Sequence, residues 1–198
     1  MTKLPVFKTE RLILRDINEN DALDMFEYSC SPLVGPNAGW APHRTIYETA
    51  AVINIFMESK NRGEPGVYAI VYRENNKMIG TIELYNYKPG FKAELGYALS
   101  PAYWGKGIIV EAANCLIDWG FNDLNLKRIE VSAFTDNHQS QRVCEKLGFQ
   151  KEGIARNAYL RYDGIVCDKV MYGMTDYDYY ERVDIFEFKS FCPEAGHF

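Results

Sequence analysis

The sequence predicts a mixed α/β domain, and three observations predict it. Segments that read as strands alternate with segments that read as helices along the chain. The composition is globular, with 47% hydrophobic and 14% aromatic residues among 198, enough for one domain with a real core. There is no internal repeat, no low-complexity stretch and no composition shift that would mark a domain boundary. Residues 1–198 are therefore read as one domain, with a core over about 9–175 and an aromatic extension over 176–198.

The elements follow in order. Arg11–Ile17 reads as a strand, and Asn18 as the N-cap of a helix over 19–29. Residues 31–43 are punctuated by Pro and Gly and read as a loop, although it carries Trp40 and His43. Thr45-Ile46-Tyr47-Glu48 has the capping-box spacing and opens a helix to about Arg62. Strands are expected over 66–73, 78–86 and 93–100, the first two joined by a turn at 74–77. Ile109, Ala112, Ala113, Leu116 and Ile117 recur at helical spacing within a helix over about 107–121. A strand over 128–134 precedes a helix from Asn137 to Leu147, stopped by Gly148. Two strands, near 150–162 and 165–174, flank an Asp163-Gly164 turn. A short aromatic helix over 176–182 follows.

Composition narrows the function. The net charge is −5, which disfavours a general nucleic-acid binder, since such proteins displace counterions with Lys and Arg. The five cysteines, at 30, 115, 144, 167 and 192, form no CxxC pair and indicate neither a zinc knuckle nor a disulfide framework. His138 and His197 have no second ligand at metal spacing, so no metal is expected. The first ten residues lack the apolar stretch of a signal peptide. No run approaches the roughly 20 apolar residues of a membrane span. The expectation is a cytoplasmic protein that binds neither membrane nor nucleic acid.

The stretch Glu94–Glu111 carries the chemistry. A strand passes through Trp104-Gly105-Lys106-Gly107 into a helix. Free N–H groups and the positive dipole end at a helix start attract anions, and glycines let the backbone come close. The dinucleotide pattern GxGxxG is absent, since Ile108, Ile109 and Val110 follow Gly107, and so is the P-loop GxxxxGK[ST]. A nucleotide-dependent oxidoreductase is disfavoured accordingly. On spacing alone the segment is either a phosphate cradle or a ligand-free helix start.

Four groups of residues, taken together and in order, resemble the GNAT superfamily of N-acetyltransferases and its RimJ/RimL-like branch. They are Thr9–Arg15 (TERLILR); Leu95-Gly96-Tyr97 with Trp104–Gly107; Asn137–Ser140 with Glu145–Phe149; and Glu152-Gly153 with Asp163-Gly164. Trp104 stands where the superfamily loop usually has Gln or Arg, and Ile109 where it has a small residue. The resemblance implies a central mixed sheet of about six to seven strands, with helices on both faces and two neighbouring parallel strands, 93–100 and 128–134, splayed apart. It implies acetyl-coenzyme A as co-substrate, held at Leu99, Ser100, Trp104, Gly105, Lys106, Gly107, Ile108, Ile109, Asn137 and Ser140. Strand N–H groups there would polarise the thioester carbonyl. The amine would attack directly, through a tetrahedral intermediate.

The acid and base are less sharply indicated. Strand alternation puts Glu94, Gly96 and Ala98 on one face, a carboxylate beside small residues. Glu94 is the first candidate base, against the reading of a solvated surface carboxylate, and Glu83 on the preceding strand is its rival. Ser140 matches the position that faces the coenzyme sulfur in RimL-like enzymes, and it is otherwise a helix serine bonded to backbone. Tyr159 stands where those enzymes can carry a catalytic Glu. It would act as a proton donor, or else pack with a tethered hydroxyl. Trp40 and His43 fall in the region that lines the acceptor site in the family, or pack within their loop.

The resemblance implies a primary amine as acceptor, either a protein N-terminus, as for ribosomal-protein acetyltransferases, or a small molecule. The alternative is a non-catalytic acetyl-coenzyme A sensor or interaction module on the same fold, which the tyrosine at 159 would favour. Homodimers are common among the resembling proteins. Tyr177, Tyr179, Tyr180, Phe186, Phe188 and Phe191 form either an interface or packing on the protein's own sheet.

Overall fold

The computed structural model describes residues 4–59 and 63–182. One sheet of eight strands runs through it in the order β1-β2-β3-β4-β5-β6-β8-β7. The strands are β1 (Phe7–Lys8), β2 (Leu12–Asp16), β3 (Val67–Tyr72), β4 (Lys77–Lys88), β5 (Lys92–Leu99), β6 (Arg128–Phe134), β7 (Gln150–Leu160) and β8 (Val166–Thr175). The helices are α1 (Ala22–Ser29), α2 (Gly35–Ala38), α3 (Ile46–Ser59), α4 (Ile108–Asn122) and α5 (His138–Lys146), and residues 176–182 form α6. The expected elements are present. The eighth strand is the two-residue β1, too short to carry a period. The segment expected to be a loop over 31–43 contains α2, one turn with Pro36 in its first positions. The predicted end of α3 at Arg62 lies outside the described residues.

Alternation along the strands builds two cores. Tyr68 and Ile70 of β3 join Leu12 and Leu14 of β2 beneath α4, whose Ala112, Ala113, Leu116 and Ile117 are fully buried. Val67, Ala69 and Val71 point the other way, against Met25 and Tyr28 of α1 and Ile53 of α3. Helices therefore cover both faces, as neither face of this sheet is polar enough to meet water.

All neighbouring strands are antiparallel except β5 and β6. That parallel pair is in register only at Lys92–Arg128, Ala93–Ile129 and Glu94–Glu130, although β5 continues to Leu99 and β6 to Phe134. The two strands part in mid-sheet, each still paired with its outer neighbour, β4 or β8.

The helix starts follow the sequence signals. The Asn18 side chain accepts from the Asn20 N–H at 3.1 Å, and the Asp21 carboxylate accepts from the Asn18 N–H at 2.9 Å, a reciprocal cap on a 3-10 turn, Glu19–Asp21, that leads into α1 in place of the single helix expected over 19–29. Asn137 caps α5 by accepting from the Ser140 N–H at 3.1 Å. In the C-terminal segment, Tyr179 stacks on Phe121 with ring centroids 4.8 Å apart and donates to Asp118 at 3.0 Å. This tyrosine packs on α4, whereas Tyr177 and Tyr180 are exposed. Phe186, Phe188 and Phe191 lie outside the described residues, as do Cys192 and His197.

The opening Thr-Glu-Arg pins the start of α4. Thr9 Oγ1 donates to Glu111 at 2.5 Å, and the Arg11 backbone N–H and Nε donate to the same carboxylate at 3.1 and 2.6 Å. Arg11 Nη1 reaches on to the Lys106 carbonyl at 2.9 Å. Burial raises the Glu111 pKa, but the hydrogen bonds from Thr9 and Arg11 outweigh it and hold the carboxyl below its ordinary value. Glu111→Ala removes these bonds and is expected to cost about 1–2 kcal/mol, with part of the charge effect screened by solvent. For a chain of this size that lowers the thermal midpoint by roughly 2–8 °C. An unchanged midpoint would show that the clamp contributes nothing.

Candidate active site

A cleft of about 530 Å³ opens where β5 and β6 part. Its floor is Gly96, Ala98 and Leu99 of β5 with Ser132 and Phe134 of β6. The Trp104–Gly107 loop and the start of α4 close one end, and α5 supplies a wall through Asn137 and Ser140. Leu33, Val34, Asn37 and Ala38, in and before α2, cover the opposite side.

The backbone of β5 faces this cleft with open valences. The Ser100 N–H donates to the Ile79 carbonyl at 2.8 Å, so Ser100, Ala98 and Gly96 direct their backbone groups toward β4. Leu99 and Tyr97 then direct theirs toward the gap. The Leu99 carbonyl is taken by Trp104 Nε1 at 2.9 Å, while the Leu99 and Tyr97 N–H groups face the cleft. Ser100 itself neither lines the cleft nor has a free N–H, a difference from the expectation that follows from this alternation.

The loop after β5 is shaped for close approach. Gly105 and Gly107 have φ of +73° and +75°, a conformation that costs other residues free energy. A Cβ on Gly105 would meet nothing within 4 Å, so that glycine is required by its backbone and not by crowding. Gly107 is the N-cap of α4 and no side chain caps the helix, leaving the N–H groups of Ile108, Ile109 and Val110 without intrahelical partners. Lys106 projects its ammonium over the Tyr103 ring at 5.2 Å, outside the cleft lining.

Ser140 faces the cleft from α5, and its Oγ lies 2.6 Å from the Tyr97 hydroxyl. Burial raises the Tyr97 pKa well above the ordinary phenol value, so that hydroxyl keeps its proton. Behind the pair, burial pushes the Cys144 thiol up to about 12, and Cys144 is an inert core thiol at neutral pH. Asn137 caps α5 and also donates to the Asn37 carbonyl at 3.2 Å, linking the α5 wall to α2.

The two candidate carboxylates differ in surroundings. Glu83, directly across from Gly96 in the β4–β5 register, has no hydrogen-bond or ion-pair partner among the described residues. A Cβ on Gly96 would lie 3.0 Å from the Tyr85 ring and 3.5 Å from Glu83 Cγ, so Gly96 makes room for the Tyr85 ring, which lines the cleft beside Glu83. Burial, and secondarily the charge of Glu64, raise the Glu83 pKa to about 7. Glu94 accepts from Asn86 Nδ2 at 2.9 Å, and neither carboxylate lines the cleft itself.

Tyr159, Trp40 and His43 stand beside the cleft without lining it. The Tyr159 hydroxyl donates to the Gly39 carbonyl at 3.2 Å. Gly39 has φ +93°, and a Cβ there would lie 2.5 Å from that hydroxyl. Trp40 packs on Gly35 and on the His43 ring, whose centroid is 5.2 Å away. His43 Nδ1 meets Thr49 Oγ1 at 2.8 Å, and burial lowers its pKa against the opposing charge of Glu48. These three residues hold the segment that covers the cleft.

Sequence reasoning missed the α2 residues, Tyr85, Tyr97 as the partner of Ser140, and Lys169. Only Tyr97 left a signal, since it shares the alternating face of Leu95 and Leu99. No group of three or more His, Cys, Asp or Glu is placed to hold a metal ion among the described residues. No helix among them is long and apolar enough to cross a membrane.

Comparison with known proteins agrees with this geometry. Residues 11–150 match the model of the Acetyltransferase (GNAT) domain. The N-acetyltransferase p20 of Bacillus licheniformis is 32% identical over 173 residues, covering 86% of this chain and 96% of that protein. A ribosomal protein uS5-alanine N-acetyltransferase of Escherichia coli is 27% identical over 180 residues, covering 86% and 91%. The crystal structure of a GNAT-family acetyltransferase from Bacillus anthracis superposes with a TM-score of 0.77 at 25% identity, covering 87% of this chain and 99% of that one. A splayed parallel pair beside a glycine loop, a domain match over most of the chain and relatives aligned nearly end to end all agree: the chain belongs to the GNAT family and is an N-acetyltransferase of the RimJ/RimL-like type.

Proposed function

We propose that the protein transfers the acetyl group of acetyl-coenzyme A to a primary amine, by direct attack at the cleft between β5 and β6. The observation that carries this is the meeting of two unpaired donor sets at one place. The Tyr97 and Leu99 N–H groups face the gap, and the uncapped start of α4 opens beside them. The first set suits the amide-bearing arm of the coenzyme and the thioester oxygen, and the second its pyrophosphate.

The proton movements follow from the side chains. The amine must lose a proton to attack, and Glu83 accepts it through an intervening water, since the carboxyl is set back from the cleft lining. A carboxyl near pKa 7 is matched to that task. The amine nitrogen bonds to the carbonyl carbon, and the negative charge on the oxygen is met by strand N–H groups. The carbon–sulfur bond then breaks. As it breaks, the nitrogen's remaining extra proton passes through water to the Ser140 hydroxyl while that hydroxyl gives its own proton to the departing thiolate; Tyr97, which stays protonated, holds Ser140 Oγ in place. A ribosomal protein uS5-alanine N-acetyltransferase among the relatives supports a protein N-terminus as acceptor, with a small primary amine as the other class.

Three outcomes are expected. Gly107→Glu places a carboxylate at the helix start. Calorimetry should show acetyl-coenzyme A binding by the parent protein and none by the folded variant. A parent that does not bind would overturn the proposal. The base must be ionised, so kcat/KM should rise with pH through about 7. Glu83→Gln should remove that limb and lower kcat/KM about a hundredfold or more; a parallel, merely scaled profile would exclude Glu83. Tyr97→Phe and Ser140→Ala should each lower kcat by about tenfold or more while changing KM for acetyl-coenzyme A little.

A further inference from the structure

Lys169 of β8 lines the cleft from the sheet, whereas the other cleft-lining cations, Arg142 and Lys146, belong to α5. It lies on the same face of the sheet as Phe134, its partner in the β6–β8 register, while Val170 and Tyr172 point into the core under α4 and α5. Its Nζ sits over the Tyr159 ring at 4.6 Å and the Phe134 ring at 5.7 Å. Lys169 has no hydrogen bond and no ion pair among the described residues. Glu94, the acid whose charge acts on Lys169, is hydrogen-bonded by Asn86, and the acids farther along the sheet are engaged with other cations. Glu130 is held by Lys92 and Arg128, each at 2.8 Å, and Glu152 by Arg128. Burial lowers the Lys169 pKa and Glu94 acts against that. A half-buried ammonium resting on two aromatic faces keeps its charge and has no protein acceptor for its protons among the described residues, which leaves its donors available to an anion in the cleft.

We infer that Lys169, held by Tyr159 and Phe134, forms a carboxylate subsite at the acceptor end of the cleft, and that the preferred amine carries a carboxylate within a few bonds. This rests on the acetyltransferase reading above. The two sources of such a group are a free amino acid and an acidic residue just after the N-terminus of a peptide. Glu83 and Lys169 would then divide the acceptor between them, one facing the amine and the other its carboxylate. It also gives Tyr159 a purpose that requires no chemistry of its own: it supports both the Gly39 turn and the ammonium.

The test measures acetyl-coenzyme A turnover with matched acceptors: alanine against alaninamide, and peptides with Asp at the second position against the same peptides with Asn. The parent should favour the carboxylate member of at least one pair by about tenfold or more in kcat/KM, the range of a charge-assisted hydrogen bond. Preference within the first pair identifies a free amino acid, and within the second an acidic peptide. Lys169→Met should abolish the preference by raising KM for the carboxylate member alone, and Lys169→Arg should retain part of it. KM for acetyl-coenzyme A should not move in either variant, and a thermal melt should show both folded. Turnover without carboxylate preference, or equal loss for both members in Lys169→Met, would overturn the subsite. So would turnover of neither pair by a parent that binds acetyl-coenzyme A, or a raised KM for acetyl-coenzyme A. A parent that does not bind acetyl-coenzyme A would instead remove the reading on which the subsite rests.

Discussion

Backbone pairing between β5 and β6 stops at Glu94 and Glu130, and the rest of the site depends on that stop. A sheet interior normally satisfies every N–H and C=O. Here two strands diverge inside a sheet that is continuous on both flanks, so donors remain open in a place shielded by helices. Such donors are held rigidly by β4 on one side and need no rearrangement to meet a charge that develops during reaction. The cleft is thus built from the absence of a few ordinary hydrogen bonds, and in the proposed reaction side chains around it supply acid, base and selectivity.

Keeping that gap open requires supports on each side. Trp104 Nε1 takes the Leu99 carbonyl and fixes the exit of β5. Thr9 and Arg11 hold Glu111, and through the Lys106 carbonyl the glycine loop itself. Asn137 ties α5 to α2 while capping its own helix. Tyr159 reaches from β7 to the Gly39 carbonyl. Apart from the local bonds of Trp104 to Leu99 and Asn137 to Ser140, these links join segments distant in sequence, so disturbing any of them would change the width of the cleft without touching a reacting atom.

Much of the fold was legible because strand and helix periods were clean. Caps at Asn18 and Asn137 and the positive-φ stop at Gly148 behaved as local chemistry requires. The two-residue β1 was not, since it is defined by its partner Leu14 and not by a pattern of its own. Nor was α2, where Pro36 and Gly39 read as loop punctuation while bracketing a single helical turn. The glycine loop was legible as a possible anion site from residue types alone. The proposed preference for Glu83 over Glu94 was not, because it rests on burial and on a partner of Glu94, Asn86, that belongs to another strand. Lys169 left no signal, since an unpaired lysine is defined by acids that are occupied elsewhere.

Residue-resolved amide hydrogen exchange, with and without acetyl-coenzyme A, tests the central claim most directly. The account predicts that the Tyr97 and Leu99 amides exchange faster than their β4-paired neighbours Gly96 and Ala98 in the free protein. Saturating acetyl-coenzyme A should then slow Tyr97 and Leu99 by about tenfold or more. Equal protection of all four amides before ligand is added, or no change at Tyr97 and Leu99 while calorimetry records binding, would contradict it.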